Sequence, residues 1–255
     1  PVSGSPFTTG ADGTVTVSGL QKGTYYAKEI STDDPYWEFD TAVKSVTIAV
    51  GKTAEVTFTN THYGRIEIRK TTNTGNQLGG WTFRVRDSEG NSYGDFTTDE
   101  NGYACTQNLP LGWYTVVELP TEDNYWLTEL GFHDVTVKAG ETTVDTWLNK
   151  EQGLVWFYKK TNTGQSVEGW HITVYSDEAC TQKVGTLITN ADGKAGYYLD
   201  PGTYWAKETG DEHGRFEDEY WMVDETVHKF EIKPHEDVSI TFTNVQYGRL
   251  KISKT

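Results

Sequence analysis

Three residue types able to react with one another recur in register along this 255-residue chain. A Lys closes the segments GRIEIRK (Lys70), GLVWFYK (Lys159) and GRLKISK (Lys254). A Glu follows Gly-x-Tyr in GTYYAKE (Glu29), GWYTVVE (Glu118) and GTYWAKE (Glu208), and an Asn ends TFTN (Asn60), TWLN (Asn149) and TFTN (Asn244). Burial lowers the pKa of a Lys and raises that of a Glu. A neutral Lys amine is a nucleophile, and a protonated Glu can polarise a carboxamide and shuttle protons. Attack of the amine on the Asn amide carbon would expel ammonia and leave a Lys–Asn isopeptide bond. Fixed placement in a dry core supplies the effective molarity that the free groups lack. The same three residues could instead form a buried Lys–Glu ion pair with Asn as a hydrogen-bonding spacer. Buried pairs are seldom better than apolar replacements, so coordinated copies favour the covalent reading.

The elements that must position these groups are strands. Short segments rich in Val, Ile, Thr, Tyr and Phe alternate in polarity and are broken by Asp-Gly, Asn-Gly or Pro-Gly turns. No segment shows helical periodicity over three turns, so the chain reads as all-β. Strand parity assigns faces. Lys70 shares one with Ile66 and Ile68, Lys159 with Val155 and Phe157, and Lys254 with Leu250 and Ile252. Glu118 lies with Tyr114 and Val116, Glu208 with Tyr204 and Ala206. Asn60 lies with Val56 and Phe58, Asn244 with Ile240 and Phe242. In the second repeat Asp145 replaces the aliphatic residue while Trp147 keeps the aromatic. The three polar groups therefore point into one apolar core.

The Glu-to-Asn separations are 31, 31 and 36 residues, and the two Lys-to-Glu separations are 48 and 49. Leu-x-x-Gly-x-Tyr recurs at Leu20, Leu109 and Leu199, and a Tyr-Trp pair follows at Tyr36-Trp37, Tyr125-Trp126 and Tyr220-Trp221. One repeat thus spans about 90 residues, a size suited to a β-sandwich. The expected division is 1–62, a partial repeat lacking its first strands; 63–151 and 152–247, two complete repeats; and 248–255, the first strand of a following one. Glu29 and Asn60 form an incomplete triad, Lys254 is the orphan lysine of the next repeat, and two triads are complete: Lys70–Glu118–Asn149 and Lys159–Glu208–Asn244. Pro1 is not an initiator, so the chain reads as a mature or excised piece of a longer protein. Cropping accounts for the partial repeat; the alternative is that one molecule's final strand completes the next molecule's first repeat.

These motifs resemble the Cna B-type or SpaA-type prealbumin-like domain: a Lys strand, a Thr-x-Thr-Gly turn (Thr72–Gly75, Thr161–Gly164), Asp-x-Gly, Leu-x-x-Gly-x-Tyr-x-x-x-Glu and a terminal Thr-Asn. The resemblance implies tandem prealbumin-like β-sandwiches, Ig-like or transthyretin-like, of Gram-positive surface adhesins and pilins. It also implies an intramolecular Lys–Asn bond promoted by Glu. Trp81 and Trp170 depart from it, standing where the family usually has a small residue after Gly. The function implied is a structural stalk at the cell wall, self-crosslinked once and not a turnover enzyme. Its neighbours would be the other repeats, with any host matrix protein or glycan bound by other parts of the parent. The rival reading is a carbohydrate- or host-protein-binding β-sandwich in which the triad is only structural. Trp113, Trp156 and Trp205, outward by parity, would be its contacts.

A formal net charge of −15 and a mean hydropathy of −0.61 argue against nucleic acid, since no cationic stripe is available to displace counterions. No apolar run reaches the roughly 20 residues of a membrane helix. Cys105 and Cys180 fall at non-equivalent places in different repeats, which disfavours a disulfide. The acidic clusters Asp33-Asp34, Asp211-Glu212 and Glu217-Asp218-Glu219 lack the ligand order of an EF-hand, and His213, His228 and His235 are scattered. Neither metal nor cofactor is expected.

Overall fold

Alternating polarity resolves into strands throughout the computed structural model, which describes residues 1–30 and 34–254. Among them there is no helix. Asp33 lies outside the described residues, and the Asp33-Asp34 cluster with it. The first repeat contributes β1 (Gly23–Ala27), β2 (Trp37–Glu38), β3 (Lys44–Ile48) and β4 (Thr61–His62), pairing as β1-β3 and β2-β4. The second contributes β5 (Arg65–Thr72), β6 (Thr82–Asp87), β7 (Ser92–Thr97), β8 (Tyr103–Cys105), β9 (Gly112–Glu118), β10 (Trp126–Leu127), β11 (His133–Val137) and β12 (Thr142–Glu151). Its sheets run β10-β12-β5-β8 and β11-β9-β6-β7. The third contributes β13 (Gly153–Thr161), β14 (Trp170–Tyr175), β15 (Lys183–Ile188), β16 (Lys194–Leu199), β17 (Gly202–Asp211), β18 (Trp221–Met222), β19 (His228–Ile232) and β20 (Asp237–Gln246). Its sheets run β16-β13-β20-β18 and β15-β14-β17-β19, the same order as in the second repeat.

Two features of this topology matter for the triad. The first and last strands of a repeat are sheet neighbours, and in the third repeat they run parallel, with Lys159 opposite Phe242 and Thr161 opposite Asn244. Lys159 and Asn244 are therefore diagonal neighbours on one face, within reach of long side chains. The Glu stands on β9 or β17, in the other sheet, so the three groups meet across the sandwich. The core around them is apolar: Val155, Phe157, Ile172, Val174, Leu199, Ala206, Phe230, Ile232 and Phe242 form one buried cluster.

The turn that leads into β8 or β16 fixes each Lys strand on the side away from the last strand. The Gly102 carbonyl accepts the Lys70 N–H at 2.7 Å, and the Gly193 carbonyl accepts that of Lys159 at 2.7 Å. Both glycines have positive φ, +77° and +69°, and a Cβ on Gly102 would fall 2.4 Å from the Lys70 carbonyl oxygen. Only glycine meets both demands.

By packing, residues 1–66, 106–114 and 135–143 form one compact unit and the remainder another. Within the first unit, Tyr36 Oη lies 2.6 Å from Thr142 Oγ1, the Arg65 guanidinium covers the Tyr36 ring at 5.1 Å, and Asn108 donates to the Pro35 carbonyl at 3.0 Å. Within the second, Tyr125 plays the role of Tyr36. It donates to Asp237, stacks on His235 at 5.3 Å and meets the edge of Tyr198 at 5.7 Å. Lys150 and Gln152 both reach Asp200, at 3.4 and 3.1 Å. Tyr36 and Tyr125, the first residues of two Tyr-Trp pairs, thus each belong to a joint between successive repeats.

Candidate functional site

Lys70, Glu118 and Asn149 come together in the interior of the second repeat. The side chains of Lys70 and Glu118 are 0% and 2% exposed, and Asn149 is fully buried. One oxygen of Glu118 serves both partners: Lys70 Nζ lies 2.9 Å from Oε1, and Asn149 Nδ2 donates to that oxygen at 2.9 Å. The Lys70 amine meets Glu118 at close range, with the contact bent away from ideal hydrogen-bond geometry. Burial draws its pKa below the usual lysine value, with the hydrogen bond and charge of Glu118 opposing.

The third repeat repeats this arrangement. Lys159 forms a fully buried ion pair with Glu208 Oε1, and Asn244 is fully buried. Burial pulls Lys159 down to about 8 against the charge of Glu208. Burial likewise pushes Glu208 above the ordinary carboxyl range, against the opposing effects of Lys159 and Asn244. Both shifts favour the neutral forms. Asn244 differs from Asn149 in one respect: its Nδ2 stands beside Glu208 without a hydrogen bond of good geometry. In the first repeat Asn60 Nδ2 donates to Glu29 Oε1 at 2.7 Å, on half-buried side chains. Lys254 is exposed, as are Leu250 and Ile252, each 84% exposed.

Several groups outside the triad are in contact with it. Trp81 covers the Lys70 amine at 4.7 Å from its ring centre, and Trp170 covers that of Lys159 at 4.3 Å. Each indole N–H is spent on a local carbonyl, Gln77 or Ser166, at 2.8 Å. The Trp of the Tyr-Trp pair packs on each lid: Trp126 on Trp81 at 4.9 Å, Trp221 on Trp170 at 5.5 Å. The two Trp residues that depart from the family pattern are therefore the roof over the amine. Asn149 Oδ1 accepts the backbone N–H of Glu129 at 3.1 Å, and Asn244 Oδ1 that of Asp224 at 2.8 Å. Asp145, the acid at an inward position, is buried between His133 Nδ1 at 2.7 Å and the indole N–H of Trp147 at 2.7 Å.

The remaining candidates are dispersed. Trp113 is 65% exposed, whereas Trp156 and Trp205 are half-buried beneath the amines of Lys194 and Lys229, at 3.7 and 5.6 Å. Cys105 and Cys180 are free thiols. Among the described residues no group of His, Cys, Asp and Glu is arranged to hold a metal, and no helix could cross a membrane.

The model of the SpaA prealbumin-like fold domain matches the chain three times, over residues 2–62, 64–151 and 155–248. Solved structures similar to it include the Bacillus anthracis TIE protein, at 22% identity and a TM-score of 0.38 over 81% of this chain. The chain spans 38% of that protein's length. A streptococcal ancillary pilin matches at 20% identity and a TM-score of 0.39, over 90% of this chain and 77% of that one. The shaft pilin SpaA of Lactobacillus rhamnosus GG matches at 15% identity and a TM-score of 0.32, over 74% of this chain and 100% of that one. No curated protein matches. With the family model covering nearly its whole length, the chain is an all-β tandem array belonging to the SpaA-type prealbumin-like fold family.

Proposed function

We propose that the second and third repeats each close an isopeptide bond, Lys70 to Asn149 and Lys159 to Asn244, with Glu118 and Glu208 as proton shuttles. The observation that carries this reading is the shared oxygen of Glu118, which holds the attacking nitrogen and the departing nitrogen at once. The neutral amine adds to the amide carbon and gives its proton to the carboxylate side of the Glu. That proton passes to the amide nitrogen, which leaves as ammonia. The sum is amine plus carboxamide going to secondary amide plus ammonia, with no cofactor and a single turnover. The Trp lid keeps water from the amine and so sustains its lowered basicity.

The bond would link the first strand of a repeat to its last and close a loop of about 80 residues, worth about 4–5 kcal/mol in the chain-entropy model. Tension along the array would pass from Asn to Lys through the bond and spare that loop. Unlike a disulfide, the bond is not reducible. Each repeat then acts as one domain with the bounds given above, and the array serves as a stalk. It would hold another part of a longer extracellular protein away from a Gram-positive cell wall, as a pilin or an anchored adhesin.

Intact mass tests the chemistry. The chain should weigh less than its sequence by two ammonia molecules, one per complete triad, and peptide mapping should recover the 70–149 and 159–244 cross-links. A folded chain of full sequence mass would refute it. The rival binding role has one solvent-facing Trp to recommend it, and a Trp113→Ala comparison on a glycan or matrix-protein array is its test.

A further inference from the structure

One backbone amide holds the Asn carbonyl in every repeat. Asp40 N donates to Asn60 Oδ1 at 3.0 Å, Glu129 N to Asn149 Oδ1 at 3.1 Å and Asp224 N to Asn244 Oδ1 at 2.8 Å. The donor always stands 20 residues before the Asn, including in the third repeat, whose Glu-to-Asn segment is longer. It is always an acid, and its side chain has a constant task. Glu129 Oε2 accepts the N–H of Leu148 at 3.1 Å and Asp224 Oδ2 that of Thr243 at 3.1 Å, in each case the residue just before the Asn. The acid grips the Asn strand with its carboxylate and turns its own N–H onto the Asn carbonyl.

A basic side chain four residues later lies against that carboxylate: Lys44 on Asp40 at 2.6 Å, His133 on Glu129 at 3.1 Å and His228 beside Asp224 at 3.9 Å. Each of these side chains also lies on the aromatic two residues before the Asn. Lys44 is 4.8 Å from the Phe58 ring, His133 stacks on Trp147 at 3.9 Å and His228 meets Phe242 edge-on at 4.6 Å. Three repeats of different local sequence thus converge on one geometry around the carbonyl.

Attack on an amide carbon drives the carbonyl electron pair onto oxygen, and a donor already aimed at that oxygen lowers the barrier without reorganising. Building on the isopeptide reading above, we propose that the backbone N–H groups of Glu129 and Asp224 are the oxyanion donors for the Lys70–Asn149 and Lys159–Asn244 reactions, held in place by their own side chains as positioning groups. The Lys nitrogen bonds to Cγ while the pair moves to Oδ1 against this N–H. On collapse the pair returns, the bond to Nδ2 breaks, and Nδ2 departs as ammonia with the proton relayed by Glu118 or Glu208. In the second repeat the amide is then held at both ends, its nitrogen by Glu118 and its oxygen by the Glu129 N–H.

The test uses the full chain assembled by chemical ligation in urea, so that neither bond has formed before folding begins, with each cross-link timed by mass and peptide mapping after dilution into buffer. Replacing the Glu129 amide with an ester, by installing the α-hydroxy acid of the same side chain, removes only the N–H. Cross-link 70–149 should slow about 100- to 1,000-fold while 159–244 keeps its normal rate in the same molecule. The same exchange at Asp224 should reverse the pattern, which general destabilisation would not do. Glu129→Ala, which keeps the N–H and loses the grip, should slow 70–149 by a smaller factor. Ester chains that regain native tryptophan fluorescence and form both bonds at the unmodified rate would overturn the donor assignment alone. An unmodified chain that folds and forms neither bond would overturn the isopeptide reading and this assignment with it.

Discussion

Replacing Glu208 separates the covalent contribution from the electrostatic one. In Glu208→Ala the Lys159 amine keeps its burial and loses its partner, and the proton shuttle is gone, so cross-link 159–244 should not form. Two costs follow. Losing closure of a loop of about 80 residues costs about 4–5 kcal/mol. Leaving one member of a buried pair without the other costs about 3–5 kcal/mol more. The double variant Lys159→Met, Glu208→Met removes the bond and both charges while keeping side-chain volume, so it should show the first cost without the second. For a domain of this size 1 kcal/mol shifts Tm by about 4–8 °C, which puts the third repeat of the double variant roughly 20–35 °C below the unmodified protein and Glu208→Ala lower still. Calorimetry reads the two transitions, and intact mass should show one ammonia lost in each variant against two in the parent. A double variant that melts with the parent would refute the closure argument. Two ammonias lost from Glu208→Ala would refute the role of Glu208.

Further outcomes follow from neighbouring groups. Trp81→Ala opens the roof over Lys70, so the wetted amine should regain basicity and cross-link 70–149 should form at least tenfold more slowly at neutral pH, with 159–244 unaffected, as timed by peptide mapping. Gly102→Ala forces a Cβ against the Lys70 carbonyl at a φ of +77° and should destabilise the second repeat by about 2 kcal/mol or more, read as a lowered Tm for that transition alone. His133 feels burial, which lowers its pKa, but Asp145 and then Glu129 outweigh it and the net shift is upward. A raised pKa means the stabilisation is fully present below the unfolded value of about 6.5 and fades as pH climbs through the higher folded value. Melts of the second repeat across that window should therefore fall with rising pH, and His133→Gln should flatten the slope.

The grouping of Lys, Glu and Asn into one set per repeat is legible in the sequence because strands alternate with period two. Parity alone puts Lys70, Glu118 and Asn149 on inward faces, and constant spacing makes them one set per repeat. Composition and turn residues likewise settle an all-β array, since Asp-Gly and Asn-Gly turns leave no room for helices between runs of Val, Ile, Thr and aromatics. Parity cannot say which strands are neighbours. That β13 and β20 lie side by side and parallel, bringing Lys159 diagonal to Asn244, follows from how the sheet closes. The inward Asp145 looked like a lapse in the pattern; its partner His133 comes from the other sheet, which no local spacing records. Trp81 and Trp170 registered only as departures from a family pattern, because a lid is defined by what it covers. The donors to the Asn carbonyl were the least legible: an acid recurs 20 residues before each Asn, but acids are common on this chain and only the fold shows that the backbone N–H of this one faces the carbonyl. Residue identity, then, determined which groups could react, through the period of the strand. The tertiary structure decided which atoms face one another, because orientation around a carbonyl depends on loops and sheet neighbours that meet only when the sandwich closes.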